Sequence, residues 1–216
     1  MITLAVDAAT YTGTVAVFSE GRLVAEADAA MRGDREALLP AVNRALGDAG
    51  ARVGDVARIV CGAGPGSFTS LRIAASIAKG VAFALRVPLD VVPSLGLIVA
   101  GQDSLPPGTY LACLDALRGE VYVAGFQLDD RGGLVECLPL RLARSEHVAA
   151  LAASIDAAPI GPSQRLHAMP RARGALRLSA LSVANVDIGG WEPDYGRKAE
   201  AQVKWEAAHG TALPSG

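Results

Sequence analysis

At 216 residues the chain has room for one large domain or two smaller lobes, each with its own core. Hydrophobic residues at 51% against charged residues at 19% argue against a disordered chain, and aromatics at 5% leave a mainly aliphatic core. A formal charge of −2 argues against autonomous nucleic-acid binding, because neutralising phosphates takes a basic excess.

The N-terminal run MITLAVDAAT lacks a basic flank and meets Asp7 early, unlike a secretory signal. Ile2 to Ala8 reads as a strand, and Thr12–Ser19 alternates with β-branched residues. Arg22 to Ala29 reads as a third strand, joined to the second by the hairpin signal Glu20-Gly21. A helix capped by Asp34 follows, with Leu38, Leu39, Val42, Ala45, Leu46 and Ala49 at helical spacing and Gly50 as its stop; Pro40 inside it predicts a kink. Val56 to Cys61 is the next strand, and the loop after it leads into a helix over Phe68–Leu85. Its apolar part, from Ile73, is interrupted by Lys79 and is too short to span a bilayer. Leu89 to Val92 is a strand, and Ser94 is placed to cap a helix reaching about Gly101.

Asp103 to Gly108 (DSLPPG) carries the clearest linker signal. Strands resume at Tyr110 to Leu114, Glu120 to Leu128 and Leu134 to Leu142, with turns at Arg118-Gly119 and Asp130 to Gly133. A short helix begins at Ser145; beyond Ala157 the pattern loosens around Pro159, Pro162 and Pro170, with a weak helix over Ala175 to Ala184. The element order suggests two α/β lobes that begin alike. The cysteines Cys61, Cys113 and Cys137 are far apart with no CxxC, which suits buried free thiols in a reducing compartment.

The loop CGAGPGSFTSLRIA (61–74) matches none of three named motifs: no GK follows for a P-loop, Ser67 stands where a dinucleotide fingerprint needs its third glycine, and no GxSxG elbow is present. Three roles remain for it: a turn with Ser67 as helix cap, a weak anion or nucleotide contact at the helix N-terminus, or catalysis. GPGSFTSLRIA followed by AKGVAFAL resembles the signature of the TsaB (YeaZ) family, which usually reads GPGSFTGLRIG. LAVDAATYTGTVAVF, EALLPAV, DALRGEVYVAGF and WEPDYGRKAEAQ agree in order and spacing, so the resemblance runs from residue 2 to about 202.

The resemblance implies an α/β fold of the actin-like ATPase type (actin, sugar kinase, Hsp70), with two lobes, each a mixed sheet with flanking helices. The expected divisions are 1–103, 104–207 and a disordered tail at 208–216. It further implies a bacterial cytoplasmic protein required for threonylcarbamoyladenosine (t6A) at position 37 of tRNA. Such a subunit is non-catalytic and dimerises with the TsaD-like catalytic subunit; a TsaE-like ATPase joins them. Alone it pairs with itself, it meets tRNA only through the complex, and no cofactor or membrane contact is implied. Departures from the family pattern at Asp34-Arg35, Ser70 and Ala74 fall on helices expected to meet the partner.

Against this stand an ATP-using kinase or a glycoprotease-like peptidase acting alone, and a homodimeric binding module. His147, His167 and His209 are never four residues apart, so no catalytic residue and no metal ligand is assigned. Asp7 and Thr10 sit where actin-like folds place a phosphate loop; with Gly64, Gly66 and Ser67 they form a possible nucleotide-like loop, or Asp7 simply caps the turn at Thr10 or Thr12. Interface candidates are Leu38, Leu39, Val42 and Leu46 on the first helix and Leu71, Ala74, Ala75, Ala78 and Ala82 on the second; packing on the lobe's own sheet is the equal alternative. Asp115, Arg118 and Glu120 suggest a turn salt bridge. Arg165, Arg171, Arg173 and Arg177 form a basic run that either helps position tRNA or is a solvated loop.

Overall fold

The structure is a computed structural model and describes residues 1–32 and 37–196. The expected cap Asp34, its neighbours Arg35 and Glu36, His209 and the tail 208–216 lie outside the described residues. The described residues form two five-stranded mixed sheets. In the first, β1 (Ile2–Asp7) pairs antiparallel with β2 (Thr12–Ser19), which pairs antiparallel with β3 (Arg22–Ala30). On its other side β1 runs parallel to β4 (Val56–Gly62), and β4 parallel to β5 (Leu89–Val92). The hairpin turn is of the expected kind, with Glu20 at φ 49° and Gly21 at φ 76°, because two left-handed residues match the twist of the flanking strands.

The second sheet repeats the plan. It contains β6 (Gly108–Asp115), β7 (Glu120–Leu128), β8 (Leu134–Arg144), β9 (Ala158–Gly161) and β10 (Leu166–His167). Its order β8-β7-β6-β9-β10 reproduces β3-β2-β1-β4-β5, antiparallel pairs first and parallel pairs after. This is a two-lobed α/β plan, each lobe a mixed sheet with flanking helices. Strands β9 and β10 have no counterpart in the sequence reading; four and two residues long and flanked by prolines, they give too little periodicity to register.

Four α-helices accompany the sheets among the described residues: α1 (Leu38–Asp48), α2 (Phe68–Leu85), α3 (Ser94–Ala100) and α4 (Val148–Ser154). Pro40 produces no break, because α1 starts at Leu38 and the proline falls in the first turn, where a missing N–H has no helical acceptor to lose. Gly50 ends α1 at φ 67°; its N–H reaches Gly47 O at 2.9 Å, and the Ala51 N–H reaches Leu46 O at 2.9 Å, a Schellman closure. Arg86, at φ 57°, ends α2 in the same left-handed way without a glycine. The cap expectations at Ser67 and Ser94 fail. Ser67 Oγ pairs with Ser70 Oγ at 3.0 Å rather than with a backbone N–H, and Ser94 is the first helical residue behind Pro93.

Buried α3 joins the two sheets: Leu95, Leu97 and Ile98 share one core with Tyr110, Phe126 and Leu178. Under α1 and α2 a second core contains Leu4, Val6, Val15, Val17, Leu38, Val42 and Leu46. After β10 the chain returns to the first sheet. The 3-10 segment Ala172–Leu181, expected as a weak helix further on, packs on α3, and Val183 exchanges two backbone hydrogen bonds with Val91 at 3.0 and 2.9 Å. Three of the four arginines of the basic run fasten this return. Arg171 pairs with Asp28 at 2.5 Å and Arg173 with Asp103 at 2.8 Å, while Arg177 Nη1 donates to Ala100 O at 2.7 Å. That is neither a solvated loop nor an open basic patch.

Leu178 is fully buried where the returning segment meets α3. Leu178→Ala is expected to cost about 2–5 kcal/mol in urea unfolding, since the lost contacts leave a cavity that packed neighbours close only in part. A change within about 0.5 kcal/mol would mean the segment adds little to the core.

Candidate functional site

Two features converge on the first lobe: a buried junction of loops, and the outer surface of the helix pair. At the junction Asp7 closes β1 and is 0% exposed. Ser94 Oγ donates to Asp7 Oδ1 at 2.5 Å, the Ala9 N–H donates to Oδ2 at 3.1 Å, and the Gly64 N–H donates to Ser94 Oγ at 3.0 Å. Among the described residues no ion pair reaches Asp7. Burial therefore pushes its pKa up to about 6, with the Ser94 and Ala9 hydrogen bonds pulling part of the way back. The same burial, with the Asp7 charge beside it, pushes the Cys61 thiol far up.

The nucleotide-like loop is brought together only in part. Asp7 and Gly64 are linked through Ser94, which the sequence offered only as a cap. Ser67 and Gly66 instead meet the β1–β2 loop. The Ser67 N–H donates to Ala9 O at 2.8 Å, and a side chain at Gly66 would overlap that carbonyl. Gly64, at φ 92°, lies as tightly against Asp194 O. These glycines let two loops press on each other. Thr10 stays apart and closes the turn, its Oγ1 accepting from the Thr12 N–H at 3.2 Å and donating to Thr12 O at 3.0 Å. A phosphate could reach the Asp7 carboxylate only if these loops parted.

The interface candidates need a correction. Leu38, Val42, Leu46, Leu71, Ala74, Ala75, Ala78 and Ala82 are all 5% exposed or less and pack in the protein's own core. The reason is the close approach of α2 to β4, which only small side chains on the inner face permit. Ser70 and Ala74, which depart from the family pattern, are buried with them. Of the nine, Leu39 alone is open, at 44%. Beside it a shallow groove of about 530 Å³ runs between the helices, lined by Leu39, Phe68, Thr69, Arg72, Ile73, Ser76 and Ile77. Helical periodicity misses this stripe, because α2 is apolar on nearly every side. By length and composition it could cross a membrane, yet it packs on β4 with a third of its length buried.

The segment Trp191 to Tyr195 is a strap along α2. Lys79 meets Glu192 at 3.3 Å and lies 5.7 Å from the Trp191 ring, and the Phe68 and Tyr195 ring centroids are 4.5 Å apart. The sequence offered WEPDYG only as a fragment of likeness, since nothing local says what it touches. Elsewhere Asp115 accepts from the Leu117 N–H at 2.8 Å at the β6–β7 turn. His147 and His167 are exposed, and no cluster of three His, Cys, Asp or Glu side chains occurs among the described residues. Cys61 and Cys113 are buried as expected, with the Cys113 thiol pushed up to about 12 by burial, but Cys137 is exposed on the edge strand β8.

Residues 28–135 match the family model described as TsaD, tRNA N6-adenosine threonylcarbamoyltransferase. A Bacillus subtilis tRNA threonylcarbamoyladenosine biosynthesis protein TsaB is 28% identical over 95% of this chain and 98% of its own length. The Escherichia coli protein of the same name is 35% identical over 60% of this chain, a match that spans 56% of that relative. Two solved Pseudomonas aeruginosa structures are similar. One, described as similar to the peptidase YeaZ, has TM-score 0.77 at 28% identity, covering 91% of this chain and 99% of that one. The other, YeaZ, has TM-score 0.71 at 26% identity over 90% and 99%.

The raised Asp7 pKa fixes a sign. The folded state binds this proton more tightly than the unfolded state, whose carboxyl titrates near 3.8. The stabilisation is therefore complete below about pH 4 and is lost as pH rises through about 6, amounting to about 3 kcal/mol across the window. In urea unfolding, the stability of wild type relative to Asp7→Asn is expected to rise as pH falls from 7 to 4; a flat difference would contradict the buried, unpaired carboxyl.

Proposed function

The chain belongs to the TsaB (YeaZ) family of tRNA threonylcarbamoyladenosine biosynthesis proteins, and on that premise we propose that it is a non-catalytic scaffold subunit for t6A formation at tRNA position 37, binding a TsaD-type transferase. The observation that carries this reading is the apolar groove between α1 and α2, where exposed Leu39 and Phe68 meet half-buried Ile73 and Ile77, which also touch the core. A transferase of similar fold would offer an equivalent helix pair, and two such pairs make a four-helix packing with pseudo-twofold symmetry. In this reading the setting is the bacterial cytoplasm. A TsaE-like ATPase and tRNA join the assembled complex, and self-pairing through the same helices holds the chain when the transferase is absent.

The loop junction fits a supporting role. Asp7 faces Ser94 and Ala9 rather than a cation, and the β1–β2 and β4–α2 loops bond to each other. An ATPase, kinase or peptidase acting alone would show turnover by the isolated chain.

Ser76 is exposed within the groove, whereas Ala78 is buried beneath it. Ser76→Glu is expected to weaken co-purification with the TsaD-type transferase at least about 100-fold while leaving the thermal midpoint within about 2 °C, since a charge would be desolvated only in the complex. Ala78→Glu is expected to unfold the lobe. Undiminished binding by Ser76→Glu would remove the groove from the interface.

A further inference from the structure

The helix pair carries a charge opposite to that of the molecule. The chain has a formal charge of −2, yet α1 and α2 hold Arg44, Arg72 and Lys79 against the single acid Asp48, and α2 contains no Asp or Glu. Lys79 is matched by Glu192 at 3.3 Å, and Arg44 Nη2 rests on the Asp28 carbonyl at 3.1 Å. Arg72 differs. It lines the groove, and among the described residues no carboxylate lies within ion-pair distance of it.

Arg72 is also held in place. Its guanidinium lies 4.6 Å from the Phe68 ring centroid and 5.9 Å from that of Tyr195, and its Nε donates to the Tyr195 hydroxyl at 3.3 Å. That hydroxyl in turn donates to Glu192 Oε2 at 3.2 Å. The strap is tied down by the Asp194 N–H on Ala63 O at 2.8 Å. Among the described residues its two Nη groups have no hydrogen-bond partner, and a guanidinium receives a carboxylate through paired N–H bonds. Much of the entropy cost of fixing a long side chain is already met before a partner arrives.

Resting on the scaffold reading above, we infer that Arg72 is the groove's charge-reading residue: it selects a partner helix that presents an Asp or Glu amid apolar side chains. A second copy of this chain offers an equally basic pair of helices, so self-pairing sets like charges together, whereas an acidic partner helix meets complementary charge. The strap contributes by positioning Arg72, not by meeting the partner's apolar residues.

The test is titration calorimetry of the full chain against the TsaD-type transferase of the same organism, at 50 and 500 mM NaCl, with Arg72→Gln, Tyr195→Phe and Ser76→Glu in parallel. Arg72→Gln is expected to bind at least about 10-fold more weakly at 50 mM and within about 3-fold of wild type at 500 mM, because salt screens a rim charge that the variant lacks. Tyr195→Phe keeps the ring and is expected to lose a smaller factor, about 2- to 5-fold, with the wild-type salt dependence intact. If Arg72→Gln matches wild type in affinity and salt dependence while Ser76→Glu fails to bind, the charge-reading role is overturned and the scaffold reading stands. If wild type binds the transferase at neither salt, both fall. Sedimentation of the chain alone showing self-association tighter than transferase binding would also overturn it, making a second copy the occupant.

Discussion

Ala74, Ala78 and Ala82 occupy one stripe of α2 and let that helix settle closely on β4 and β1. With larger side chains there the helix would stand off the sheet, and Leu38, Val42 and Leu46 of α1 would lose the wall they pack against. The same contact fixes the rotation of α2 about its axis. Once the alanines face inward, Phe68, Arg72, Ser76 and Ile77 must face outward or sideways, and the groove follows. The groove is thus the back of a core helix, built by the same 18 residues that close the lobe.

The duplicated plan explains the second feature. Each lobe is a five-stranded mixed sheet of one topology, and α3 fills the space between them with side chains shared by both. In the first lobe the loops after the first and fourth strands meet at one junction. Here the Ala9 carbonyl, the Ser67 N–H, Asp7 and Ser94 satisfy one another there, and the glycines bring the backbones into contact. A buried carboxyl with two donors and, among the described residues, no cation is costly at neutral pH, which gives this junction its acid-side stabilisation.

Most elements were legible because their local signals agree with their tertiary setting. β2, α2, β5 and β7 fall where alternation, helical spacing and turn residues place them. β9 and β10 were not legible, because short strands in a proline-rich stretch are strands only through pairing with β6 and with each other. Pro40 reads as a kink because the pattern places the start of α1 too early, near Asp34 rather than Leu38; position within a helix decides whether a missing N–H matters. Ser94 read as a cap because spacing shows a hydroxyl before a helix but not the carboxylate waiting across the lobe.

Family and two-lobed α/β class were determined by the sequence alone, since they rest on motifs, their order and their spacing. Which face of α2 looks outward was decided only in three dimensions: an alanine-rich helix apolar on most sides has no period that separates core from surface. The seating of Arg72 against Phe68 and Tyr195 was likewise invisible, because Tyr195 lies 123 residues away along the chain. Contacts of that separation arise only when the second lobe's last segment folds back onto the first sheet, where packing rather than local propensity selects the neighbours.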